Sequence, residues 1–335
     1  MRRASLALVS CALLGCPPAA QPDEPQPRNT SEAGPLVEHA AERDPRLFAV
    51  ATDAVLEKVT GDAADELFPT VKRDGSLIVF QHEQAGADGA PGIRTLYGYE
   101  PGAKKRTLYT PEDRAALQPA FLPDGKGLVF VTNAPGPVSI VKTEGVAPNA
   151  TFAIVVGSDL APELSEPAVS PDGTRIAFSM RDKNGGRAVA VVGVDGSRLR
   201  VVGEGRAPAW SPRGDRLAFV RTADEYNHIF TTPLPGAAND VIAPAQQLTK
   251  GTFDCDRPTF SPKGDRIAFV SNREEGQAPR SRTSALHLFV MNTDGSAITK
   301  LTDGTARSAT PQWAADGWIY FSSDRDGNFD LYRVR

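Results

Sequence analysis

The side chains that could carry chemistry in this 335-residue chain are few and scattered. Of the four histidines, His39 precedes the folded region, His82 ends a strand of the first repeat, and His228 and His287 fall on third strands of the fourth and fifth repeats. None pairs with Glu or Cys at metal-ligand spacing, and His82-Glu83 lacks the second histidine of a zinc-protease helix. There is no G-x-S-x-G nucleophile elbow. Asp324-Arg325-Asp326-Gly327-Asn328-Phe329-Asp330 has acids at alternate positions before a glycine, as part of a calcium loop does, but no distal bidentate Glu follows, so it reads as a hairpin turn. Cys255 sits between Asp254 and Asp256, which disfavour a thiolate. No metal, cofactor or catalytic residue is expected. What remains is polar residues just before six recurring prolines: Asp65 and Glu66, Gln118, Ser165 and Glu166, Arg206, Asp256 and Arg257, and Thr310. Gathered into one ring, Glu66, Gln118, Glu166, Arg206, Asp256 and Arg257 could hold a peptide or protein tail through charge-assisted hydrogen bonds.

Such a ring needs six equivalent elements, and the sequence supplies them. SPDGTRIAF (Ser170 to Phe178), SPRGDRLAF (Ser211 to Phe219) and SPKGDRIAF (Ser261 to Phe269) are near copies. VKRDGSLIVF from Val71, FLPDGKGLVF from Phe121 and WAADGWIYF from Trp313 are looser ones. A proline precedes each, at Pro69, Pro119, Pro167, Pro208, Pro258 and Pro311, with spacings of 50, 48, 41, 50 and 53 residues. That period signals a propeller or another repeat array. In Ser170-Pro171-Asp172-Gly173 the proline fixes φ, Asp172 suits the third turn position, and Gly173 can take the positive φ of a bulged hairpin. In the following strand Ile176 and Phe178 share one face and Ala177 takes the other. Two apolar faces, one large and one small, suit a sheet stacked between neighbouring sheets.

The reading is therefore all-β, a six-bladed propeller of four-stranded blades over residues 51–335, without long helical periodicity. In the third repeat strands start near Pro167, Thr174, Arg187 and Arg198, and in the fifth near Pro258, Asp265, Ala285 and Ala297. The sixth repeat ends after its third strand. Val55 to Gly61 resembles the outer-strand segments from Gln247 and Thr299, so this N-terminal strand is expected to close the sixth blade.

Ahead of the propeller, Arg2 and Arg3 precede an apolar run from Ala4 to Leu14, too short for a permanent span. Leu13-Leu14-Gly15-Cys16 resembles the lipobox of bacterial lipoproteins, which implies a signal peptide over 1–15 and lipidation of Cys16. Pro17 in place of Asp leans towards the outer membrane. Residues 16–50 are rich in Pro, Gln and Glu and read as a disordered tether, with a short helix from Val37 to Ala49 as its one expected element. The formal net charge of −4 disfavours nucleic acid. With Cys11 removed and Cys16 lipidated, Cys255 has no disulfide partner.

The phrases PAVSPDGTRIAF, PAWSPRGDRLAF and PTFSPKGDRIAF, the closing SSDRDGNFDLYRV and the leucine-threonine outer strands resemble the propeller of TolB and its WD-like relatives. The resemblance covers residues 51 to 335; TolB itself carries an α/β domain ahead of the propeller where this chain has a tether. Taken with the lipobox, the expectation is a lipid-anchored, monomeric β-propeller of the bacterial cell envelope, facing periplasm or cell surface, that acts as a binding or scaffolding module for an envelope protein or peptide without catalysis. The rival class is an envelope enzyme of glycan lyase or hydrolase type with its site at the channel mouth.

Overall fold

The computed structural model describes residues 49–50, 54–86, 92–133, 136–148, 150–181, 184–234, 242–273, 286–302 and 306–335. The expected signal peptide, Cys16, nearly all of the expected tether and the helix expected from Val37 lie outside the described residues, save Ala49 and Val50, which are in a strand.

Six antiparallel sheets follow the six repeats. Their inner strands are Asp65–Val71, Ala116–Phe121, Glu163–Val169, Arg206–Trp210, Cys255–Phe260 and Ser308–Trp313. The third blade is typical: Glu163–Val169, Arg175–Arg181, Arg187–Gly193 and Arg200–Glu204 pair in chain order. Its inner strand starts four residues before the proline that the sequence reading took as the boundary. The reason is a bulge. In every blade the register between first and second strands shifts around the proline, so residues on both sides of it stay paired.

The Ser-Pro turn closes as its residues dictate. The Ser170 amide donates to Arg175 O at 2.9 Å, the Gly173 amide donates to Ser170 O at 2.8 Å, and Gly173 has φ of 71°. Ser170 Oγ donates to Asp172 at 2.5 Å. Where Arg213 or Lys263 replaces that aspartate, the serine instead donates to Asp215 or Asp265, each at 2.7 Å. The change from SPDGT to SPRGD thus moves one acceptor along the turn.

Large and small faces pack as alternating layers. Ile176 and Phe178 are buried against Val129, Val131 and Ile140 of the second blade, while Ala177 meets Trp210, Leu217 and Phe219 of the fourth. Phe269 likewise faces Ala218 and Val220, and Ala268 faces Ile319 and Phe321. Each small residue leaves room for the next blade's aromatic, so the blades pack at interior density.

Two N-terminal segments join this ring. Leu56–Lys58 pairs antiparallel with the last strand, Asp330–Val334, as the outer strand of the sixth sheet. Ala49–Val50 pairs parallel with Thr299–Lys300, adding a fifth strand to the fifth sheet.

Candidate functional site

The bulges place the site. The residue before each proline is left-handed: Phe68 (φ 54°), Gln118 (53°), Glu166 (56°), Ala207 (51°), Arg257 (53°) and Thr310 (47°). A left-handed L-residue costs about 1–2 kcal/mol, so the surrounding fold must impose this conformation six times over. All six line one central cavity of about 510 Å³. The cavity runs from this floor towards the Ser-Pro turns, away from the loops that bring the chain in from the outer strands. Its rim carries Arg73, Pro123, Pro171, Pro212, Pro262 and Ala315.

Neighbouring blades are tied together at the floor. The Phe68 amide donates to Thr310 Oγ1 (3.1 Å), the Glu166 amide to Gln118 Oε1 (2.7 Å) and the Ala207 amide to Glu166 Oε2 (2.7 Å). In each case the pre-proline side chain of one blade caps the pre-proline amide of the next. Ala207 has no acceptor to offer, and the Arg257 amide turns instead to Asp256 Oδ1 at 2.7 Å. A second tier lies two residues along: the Phe121 amide donates to Thr70 Oγ1 (3.1 Å), Val71 to Gln312 Oε1 (3.0 Å) and Trp313 to Thr259 Oγ1 (3.2 Å). These bonds satisfy amides of inner strands, each of which is the edge of its own sheet.

Over the small Ala207, Arg257 of blade five reaches Glu166 of blade three, Nη1 to Oε1 at 2.8 Å. Its guanidinium carbon stands 4.6 Å from the Phe68 ring centroid, in cation–π geometry. Glu166 Oε2 also accepts from Ser179 Oγ at 2.7 Å. Behind Arg257, Arg206 binds Asp256 through two contacts of 2.6 and 2.9 Å. Burial works against the Arg206 charge, but Asp256 and Glu166 outweigh it and raise its pKa. Two arginines and two carboxylates thus form a neutral network, and Arg257, Glu166 and Phe68 come together at the floor of the cavity.

Five of the six residues singled out in the sequence are therefore close together: Gln118, Glu166, Arg206, Asp256 and Arg257. Arg206 and Asp256 stand two positions before their prolines and are not among the residues lining the cavity. Glu66 is elsewhere. It lies three positions before Pro69, fully buried where the first and sixth blades meet. Counting a fixed offset from the proline selects Phe68 in its place, a signal that a search for polar residues passes over. Arg73 was also missed; it occupies the turn position that is proline in four of the other repeats.

The other candidates have structural partners. Cys255 is fully buried, and burial is the main cause pushing its thiol up to about 11. Burial lowers the His228 pKa, keeping that ring neutral beside Thr249. In the aspartate-rich turn, Lys58 Nζ lies 2.6 Å from Asp326 and 2.7 Å from Asp330, and Asp324 binds Arg307 at 2.7 Å, so cations of the chain occupy these carboxylates. Among the described residues no group of three or more His, Cys, Asp or Glu side chains is placed to hold a metal.

No family model matches the sequence. A 55-residue stretch is 38% identical to an uncharacterized protein of Agrobacterium fabrum, spanning 16% of this chain and 19% of that protein's length. The fold is similar to a TolB-type protein from Agrobacterium tumefaciens, with TM-score 0.62 and 14% identity over 84% of this chain and 97% of the other. It is also similar to TolB from Acinetobacter baumannii (TM-score 0.58, 16% identity, 78% and 64% covered). An oligogalacturonate lyase from Vibrio parahaemolyticus is a further neighbour (0.55, 12%, 85% and 94%). At these identities the likeness is one of fold: the chain is a six-bladed β-propeller.

Proposed function

We propose that this protein is a non-catalytic binding module of the bacterial cell envelope, held to a membrane by lipid on Cys16 through a tether of about thirty residues, which captures a protein or peptide partner in its central cup. The observation that carries this reading is the cup itself. A cavity of about 510 Å³ is walled by six equivalent, cross-tied strands, and a preformed rigid wall lowers the ordering cost of binding an extended chain. Its floor charges are engaged with one another, while Arg73 at the rim is exposed. The likeness to TolB propellers supports a recognition role, and that likeness together with the lipobox supports an envelope location.

A catalytic reading draws on the lyase neighbour. Against it, the described cup residues include one carboxylate, Glu166, and no histidine, and Glu166 already serves three partners. General acid–base work needs a group free to exchange a proton with substrate.

The test is a pull-down from solubilised envelope with the tagged, lipidated protein and an Arg73→Glu/Ala315→Trp double variant. Both positions are exposed at the rim, so folding is preserved while the cup is obstructed. Loss of a specific partner in the variant is the expected result. An identical partner set in both would move the binding face away from the cup.

A further inference from the structure

Glu66 is a fully buried carboxyl at the one place where the ring is closed by distant parts of the chain. Its side chain contacts Thr60 Oγ1, which belongs to the segment arriving from the closing strand. Its Oε2 lies 3.4 Å from the amide of Leu331 in the last strand. The Glu66 amide donates to Phe329 O at 2.6 Å, and Val59 and Thr60 donate to Leu331 O at 2.8 and 3.3 Å. One carboxyl therefore touches the last strand and the segment that follows the closing strand.

The charges around it do not balance in its favour. Arg106 Nη2 reaches Glu66 Oε1 at 2.9 Å, but Nη1 of the same guanidinium binds Asp62 at 2.6 Å. Lys58 is divided between Asp326 and Asp330. Four carboxylates, Asp62, Glu66, Asp326 and Asp330, thus share two engaged permanent cations, and the two that are buried, Glu66 and Asp330, have little water to stabilise their charge. His82 stands opposite Glu66 in the ladder with its Nε2 3.2 Å from Asp62. Lys104 lines the cavity of about 640 Å³ outside the seam, but no ion pair joins it to Glu66 among the described residues. Burial, opposed only in part by Thr60 and Arg106, pushes the Glu66 pKa up to about 7.

We infer that the seam between blades one and six is a proton-operated latch, closed when Glu66 is protonated and loosened when it ionises. Opening the seam hydrates the carboxyl and returns it to its ordinary acidity. The closed form therefore binds the proton more tightly. Stability contributed by Glu66 is fully present below the open-state pKa and is lost as pH rises through the closed-state value. Mild acid tightens the latch and mild alkali frees the N-terminal strand.

Hydrogen exchange on the full-length protein tests this, with rates corrected for the intrinsic pH dependence. Between pH 5.5 and 8, protection of the amides in Leu56–Lys58 and Asp330–Val334 should fall on the order of tenfold, while that of Arg200–Glu204 in the third blade stays level. In Glu66→Gln the seam should lose this pH response. Equal changes in the third blade, or a wild-type response in Glu66→Gln, overturn the inference. If Glu66→Gln does not fold, His82→Gln decides: a response that disappears with His82 assigns the proton to the histidine, and one that persists leaves it with Glu66.

Discussion

Replacing Glu166 by alanine would take one acceptor from the Ala207 amide, which keeps its bond to Ser179 Oγ at 2.9 Å, and would remove the acceptor of the Ser179 hydroxyl and the carboxylate of Arg257 together. Breaking a mostly buried charged cluster costs about 3 kcal/mol, so chemical denaturation of Glu166→Ala should show a loss of that size. Glu166→Gln, which keeps an acceptor for Ala207, should lose about half as much. Equal losses would mean that the Arg257 ion pair carries the whole effect. At this scale the sequence told only part of the story. Polar residues near each proline were visible, but which one faces the cup depends on the bulge, and a bulge leaves no residue type of its own in Phe68, Ala207 or Thr310. The reach of Arg257 across Ala207 was likewise not legible, because it joins blades three and five over a side chain too small to obstruct it.

The elements were far more legible, because their turn chemistry is local. Gly173, Gly214 and Gly264 all have φ near 70°, as the Ser-Pro turn requires. The same turn nevertheless sits in different surroundings. A Cβ at Gly173 would find Pro123 Cδ at an ordinary 3.5 Å, whereas one at Gly264 would meet Pro212 Cγ at 2.9 Å. Gly173→Ala should therefore cost only the left-handed backbone strain, about 1–2 kcal/mol, and Gly264→Ala measurably more in the same melting experiment. Equal costs would show that the turns have slack between blades. First-strand starts were misplaced by three or four residues for a related reason, while the other starts fell within two: a proline ordinarily marks the edge of a ladder, but here the chain pairs on both sides of it.

For the molecule as a whole, the repeat period announced six blades, since each copy needs neighbours to cover its two apolar faces. The cross-ties that make the ring rigid came only with the structure. Removing residues 1–60 takes away the outer strand against Asp330–Val334 as well as Thr60 beneath Glu66. Such a truncation should melt at lower temperature than one ending at residue 53, as followed by circular dichroism. Identical melting points would mean that the sixth blade stands without its fourth strand.

The closing pair also has a direction. Leu56 lies opposite Val334, and the chain leaves the pairing at that same end on both sides. Tension between the segment ahead of Leu56 and the C-terminal residue would therefore unzip this pairing one hydrogen bond at a time, where shear would load all of them at once. The ring would yield first where its N-terminal segments are paired, at Ala49–Val50 on blade five and then at Leu56–Lys58 on blade six, an early release that single-molecule pulling would register before the remaining blades unravel.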